Sequence, residues 1–246
     1  MVQLSKKEIN DLIKSLKSLN YTIYSKPYEL NIIGIRSDNV NANSFDDLLY
    51  VFWKNEDGSY EGKKYPISTD PGTFWLKNPM VPTGTAILKG GQYIDSYHVG
   101  KHKGQYDALT QKKPVTVIRD YDRNAVLDYN NGKESTGLFG INIHHSGNSS
   151  KEDKTVDKWS AGCQVFKNID DFNEFMQLAK KQKDKYGNSF TYTLIDERAY
   201  NRKIKRFSVY TLLAVLGIGA SYVLYRSYFN KPLLPDSLKN LKNKLK

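Results

Sequence analysis

The stretch Leu48-Leu-Tyr-Val-Phe-Trp53, Lys54, Asn55-Glu-Asp-Gly58, running on to Tyr65-Pro-Ile-Ser-Thr69, decides the fold class. An apolar, aromatic and β-branched run, a Gly-bearing turn and a second run together predict a β-hairpin. The same pattern recurs along the chain. Strands are expected at Tyr28–Arg36, Thr85–Leu88, Tyr93–Val99, Pro114–Arg119, Leu138–His144 and Phe190–Ile195. Eighteen Tyr and ten Phe suit pleated surfaces. The expected class is therefore mainly β, a sandwich or barrel with few helices, over residues 26–200.

Two helices break the pattern. In residues 1–25, Ile9, Leu12, Ile13, Leu16 and Leu19 recur at helical spacing, with Ser5 as N-cap and Glu8 three residues on. Lys6, Lys7, Lys14 and Lys17 interrupt any continuous apolar core, so the segment reads as an amphipathic helix docked on the domain and not as a signal peptide. Asp170–Lys183 is the second, with Phe172, Phe175, Met176 and Ala179 on one face.

Phe207–Tyr225 is of another kind: 19 residues without a charge. At ~1.5 Å per residue they span about 28 Å, close to the thickness of bilayer hydrocarbon. Arg202, Lys203, Lys205 and Arg206 bracket one end and Arg226 the other, with Tyr210, Tyr222, Tyr225 and Tyr228 toward the ends. A single C-terminal transmembrane helix is expected, with the lipid bilayer as partner. Gly217 and Ser221 offer a small-residue contact for self-association within the membrane. Residues 230–246 alternate Leu234, Leu238, Leu241 and Leu245 with lysines, a basic amphipathic tail suited to an anionic lipid surface.

Charge supports this division. Residues 202–246 hold ten Lys/Arg against Asp236 alone, a net +9 that leaves +2 of the total +11 for residues 1–201. So balanced a main domain argues against nucleic acid as partner.

All four histidines, His98, His102, His144 and His145, precede the single cysteine, Cys163, with no more than 18 residues separating the last two. An imidazole beside a thiol favours a thiolate nucleophile by ion pairing. In Trp159-Ser160-Ala161-Gly162-Cys163, glycine allows close backbone approach to a substrate carbonyl. The amides of Gly162 and Cys163 are candidate oxyanion donors. Zinc is a rival use of His98 and His102 with His144 or Cys163, but Gly100 and Gly104 mark a strand end and turn there. No cofactor is expected.

A histidine followed some fifteen residues later by Ser-x-Gly-Cys resembles the active-site motif of the L,D-transpeptidase (YkuD-like) family. Fifteen residues separate His144 from Ser160 and 14 separate His145 from it; Ile143 before His144 favours His144. Tyr65-Pro-Ile-Ser-Thr69, Val81-Pro-Thr-Gly-Thr-Ala-Ile-Leu88 and Cys163-Gln-Val-Phe-Lys-Asn-Ile-Asp-Asp-Phe172 resemble further family segments in the right order. Coverage is about 100 residues, 65–175. Ala161 stands where the family has a second histidine, and Gln164-Val165 replaces its usual following pair.

The resemblance implies a β-rich domain with Cys163 in a groove. There the thiol attacks a peptidoglycan stem-peptide carbonyl next to a diamino acid and forms a thioacyl-enzyme. His144 acts as base, His145 or Ser146 orients the ring, and Ser160, Gly162, Trp159 and His98 line the groove. Transfer to an amine gives cross-linking; transfer to water gives cleavage. Localisation is expected at a membrane, in a host cell envelope or a membrane-containing virion. A structural membrane protein of such a virion, or a peptidoglycan-binding module without catalysis, also accounts for the sequence.

Overall fold

In the computed structural model, which describes residues 2–129, 132–147 and 154–198, the run 48–53 lies within strand β3 (Asp47–Lys54). It pairs antiparallel with β4 (Tyr60–Ser68) from Asp47↔Ile67 to Lys54↔Tyr60. The Asn55–Ser59 turn closes this hairpin: the Asn55 amide donates to the Ser59 carbonyl at 2.8 Å, and Gly58 takes φ +84°. Leu49, Val51, Tyr65 and Ile67 are each at most 0% exposed and enter the main core. Each such apolar side chain contributes roughly 1.5–3 kcal/mol.

The other elements are β1 (Val2–Gln3), α1 (Lys6–Ser18), β2 (Asn31–Arg36), α2 (Thr73–Lys77), β5 (Thr85–Leu88), β6 (Gly91–His102) and β7 (Tyr106–Gln111). They continue with β8 (Val115–Asp120), β9 (Glu134–Gly137), β10 (Ile143–His145), β11 (Gln164–Phe166), α3 (Ile169–Tyr186) and β12 (Phe190–Asp196). One sheet runs β1-β4-β11-β10-β7-β6-β12-β2-β3, and the β3–β4 pairing closes it on itself as a barrel. A second sheet, β5-β8-β9, stands beside it. The mainly β class with few helices is thus observed. Residues 1–195 form one packed unit.

Both expected soluble helices form. Ser5 and Glu8 make a capping box at α1, the Glu8 amide donating to Ser5 Oγ at 3.2 Å and the Ser5 amide to Glu8 Oε2 at 2.7 Å. Ile9, Leu12 and Leu16 are buried, and Glu8 pairs with Lys64 on β4 at 3.0 Å, so the stripe faces the protein. On α3, Phe172, Phe175, Met176 and Ala179 enter the main core, as their spacing predicts.

Four strands, β1, β7, β9 and β11, were not expected, and one expected strand is shorter. Lys103 (φ +48°) and Gly104 (φ +74°) form a tight turn that returns the chain into β7, pairing His102 with Tyr106 and Tyr97 with Gln111. Polar β9 pairs only with β8. Of the expected strand 138–144, only Ile143 and His144 join the ladder, which runs on to His145. The Gln111 side chain takes the place of a strand partner: its Oε1 accepts from the Phe139 and Ile141 amides at 3.1 and 3.0 Å.

The segments 207–225 and 230–246, read as membrane helix and tail, lie outside the described residues. Among the described residues no helix is long and apolar enough to cross a membrane.

Candidate active site

Strands β10 and β11 run parallel and adjacent, pairing Ile143 with Gln164 and His144 with Val165. Just ahead of this register, Asn142 and Cys163 face one another: the Gln164 amide donates to the Asn142 carbonyl at 2.9 Å, and the Asn142 amide to Cys163 Sγ at 3.4 Å. Cys163 and His144 both line a cavity of about 520 Å³ between the barrel and the small sheet.

His144 is 2% exposed. Its Nδ1 lies 2.9 Å from the His145 carbonyl, which can only accept, so Nδ1 carries the proton. Nε2 is left with a lone pair, and it has no hydrogen-bond partner among the described residues. Against this ring lies His102, stacked at 4.1 Å between centroids. The Asn142 side chain fixes the His102 tautomer. Its Oδ1 accepts from the Gln111 amide at 3.0 Å, which turns Nδ2 to donate to His102 Nδ1 at 3.1 Å. His102 therefore carries its proton on Nε2.

Both imidazoles are neutral at physiological pH. Burial, with the neighbouring His102 second, pushes His144 down to about 3. Burial, with Lys103 next, pushes His102 down to about 4. Burial also pushes the Cys163 thiol up, against the lowering effects of the Asn142 amide and Lys103. The thiol donates to the Gly140 carbonyl at 3.4 Å. The expected resting ion pair is thus replaced by a neutral thiol and a neutral imidazole, because desolvation penalises both charges. Iodoacetamide should accordingly label Cys163 slowly at pH 7, the rate rising about tenfold per unit to pH 9. A labelling rate already at its plateau at pH 6 would show that an ion pair forms after all.

The remaining expected residues divide. Trp159, 41% exposed, forms part of the cavity wall, where Ala161 also stands. Ser160 Oγ accepts from the Gly162 amide at 3.1 Å and donates to the Cys163 carbonyl at 2.9 Å, so it shapes the turn before the thiol. This removes Gly162 from the expected oxyanion pair; the Cys163 amide donates to no acceptor among the described residues. Gly162 is needed for another reason: at φ +124°, a Cβ there would lie 2.3 Å from the Ala86 carbonyl oxygen.

His145 and Ser146 do not orient the His144 ring through their side chains. The His145 ring packs on Tyr106 (4.2 Å) and Phe172 (5.0 Å) and lines a separate cleft. Ser146 Oγ donates to the Phe166 carbonyl at 3.0 Å and ties the end of β10 to β11. His98 lies outside the cavity, its ring nitrogens 3.4 Å from Thr110 Oγ1. On β6 it shares a face with His102 but lies four residues, two alternations, before it.

Sequence reasoning missed Asn142 and Arg119 and weighed His102 chiefly as a zinc ligand; all three line the cavity. Among the described residues, no set of three His, Cys, Asp or Glu side chains is placed to hold a metal ion. Compared with known family models, curated proteins and solved structures, the chain matches none.

Proposed function

We propose that this chain is a cysteine acyltransferase or hydrolase of peptidoglycan stem peptides, held at a membrane by residues 207–225. One observation carries the chemistry: Cys163 and His144, whose Nε2 is unprotonated, line one cavity, delivered there by neighbouring parallel strands. As the thiol sulfur bonds to a substrate carbonyl carbon, His144 Nε2 takes the thiol proton. The carbonyl oxygen becomes an oxyanion, stabilised by the Cys163 amide. Collapse breaks the C–N bond, and the leaving amine takes the proton back from His144. The resulting thioester passes its acyl group to an amine or to water. Because both resting groups are neutral, the proton moves during attack and not before it. His102 stacks on the face of His144 and limits its rotation.

The experiment uses full-length chain in alkaline-washed membranes, incubated with purified muropeptides and examined by intact-mass spectrometry. An acyl adduct on Cys163, absent after thiol alkylation, is the expected result. Muropeptide binding with neither adduct nor product would instead favour a binding module, a reading supported by the thiol's hydrogen bond to Gly140 in place of one to His144. Release of the chain by the alkaline wash would remove the membrane assignment.

A further inference from the structure

Among the described residues the cavity wall carries three charged side chains, Lys103, Arg119 and Lys158, and no carboxylate. Such a bias stands out in residues 1–201, which total only +2. Lys103 and Lys158 are exposed, whereas Arg119 is partly buried. Its guanidinium lies 4.7 Å from the Phe139 ring centroid, and Nη1 donates to the Gly84 carbonyl at 3.3 Å. Nε is buried with no partner among the described residues, and no ion pair there involves Arg119. A guanidinium fixed in this way in a largely apolar wall has a backbone acceptor but lacks the anionic partner that normally offsets its desolvation.

Two paths link this group to the turn that carries the thiol. Arg119 on β8 is directly opposite Ala86 on β5, so the two side chains share a face, and the Ala86 carbonyl packs against Gly162. By the other path, Cys163 donates to Gly140, whose neighbour Phe139 underlies the guanidinium. Arg119 and Cys163 line the same cavity, so one bound peptide can reach both.

We infer that Arg119 is a specificity residue that binds a free carboxylate of the acyl donor, close to the carbonyl that Cys163 attacks. This rests on the acyl-transfer reading for the identity of the donor, but the binding it requires is measurable without turnover. A charge-assisted hydrogen bond to carboxylate favours the acid over its amide by roughly tenfold to a hundredfold. The amide retains the shape but loses the charge.

The test is calorimetric titration of the full-length Cys163→Ala chain with acetyl-alanyl-(Nε-acetyl)lysyl-D-alanine, whose only charge is its terminal carboxylate, and with its carboxamide. The acid should bind at least tenfold more tightly. Arg119→Met should erase the preference, and Arg119→Lys should keep part of it, since lysine retains charge without the planar fork. Equal binding of acid and amide, an undiminished preference in Arg119→Met, or saturable binding of neither peptide would each overturn the assignment. Acid preference in a chain that forms no acyl adduct would retain Arg119 and remove the acyl-transfer reading. An adduct formed without acid preference would do the reverse.

Discussion

On the proposed function, Cys163→Ala in the full-length chain should lower muropeptide turnover by at least ~10⁴-fold while leaving the barrel within about 1 kcal/mol of its original stability. The two effects separate because of how little the thiol does structurally: its contacts are two long hydrogen bonds at 3.4 Å, to the Gly140 carbonyl and from the Asn142 amide. Alanine keeps the backbone that carries the Cys163 amide. His144→Gln should cost less, about 10²- to 10⁴-fold, because a thiol can still lose its proton to solvent when the positioned base is absent. Steady-state kinetics with denaturant melts on the same preparations check both. Turnover persisting in Cys163→Ala would move the chemistry away from this cavity.

One residue earlier the expected outcome inverts. Gly162→Ala should lower stability by about 3 kcal/mol or more, before any question of activity. A φ of +124° is closed to side-chain-bearing residues at a cost of roughly 1–3 kcal/mol, and the new Cβ would meet the Ala86 carbonyl oxygen at 2.3 Å. That oxygen is backbone within the β5–β8 ladder, so relief requires moving a strand, a further ~1–3 kcal/mol. For a domain of this size the thermal midpoint should fall by roughly 10 °C. A shift under 2 °C would mean that the turn before Cys163 is pliable, contrary to the tight contact described.

The hairpin 47–68 and helices α1 and α3 were legible because each writes its period into the sequence: an apolar run broken by Asn55–Gly58, or apolar residues every three or four positions. Strand β7 was not. Tyr106–Gln111 is short and half polar, and its placement follows from the Lys103-Gly104 turn more than from its own residues. Leu138–Asn142 carries a strand-like pattern but pairs with the Gln111 side chain, a long-range contact that no local periodicity records. In the site, Cys163 and His144 were readable from spacing. His102 and Arg119 reach the same cavity from β6 and β8, and only the pairing of those strands shows that they belong there. Asn142 gives no chemical signal at all; its importance lies in holding Gln111 and His102 at once.

The parallel pairing of β10 with β11 also explains a distance that first served only as a motif. Neighbouring parallel strands cannot be joined by a tight turn; the chain must travel back the length of the sheet, which takes a dozen or more residues. Between the two strands the chain has 18 residues for that return, and Lys158 and Trp159, near their end, stand in the cavity wall. The interval between His144 and Cys163 is thus long enough for the detour that the topology requires, with its homeward end used as a doorway. Exchanging residues in that doorway should change which donors enter while leaving untouched the two strands that bring imidazole and sulfur together.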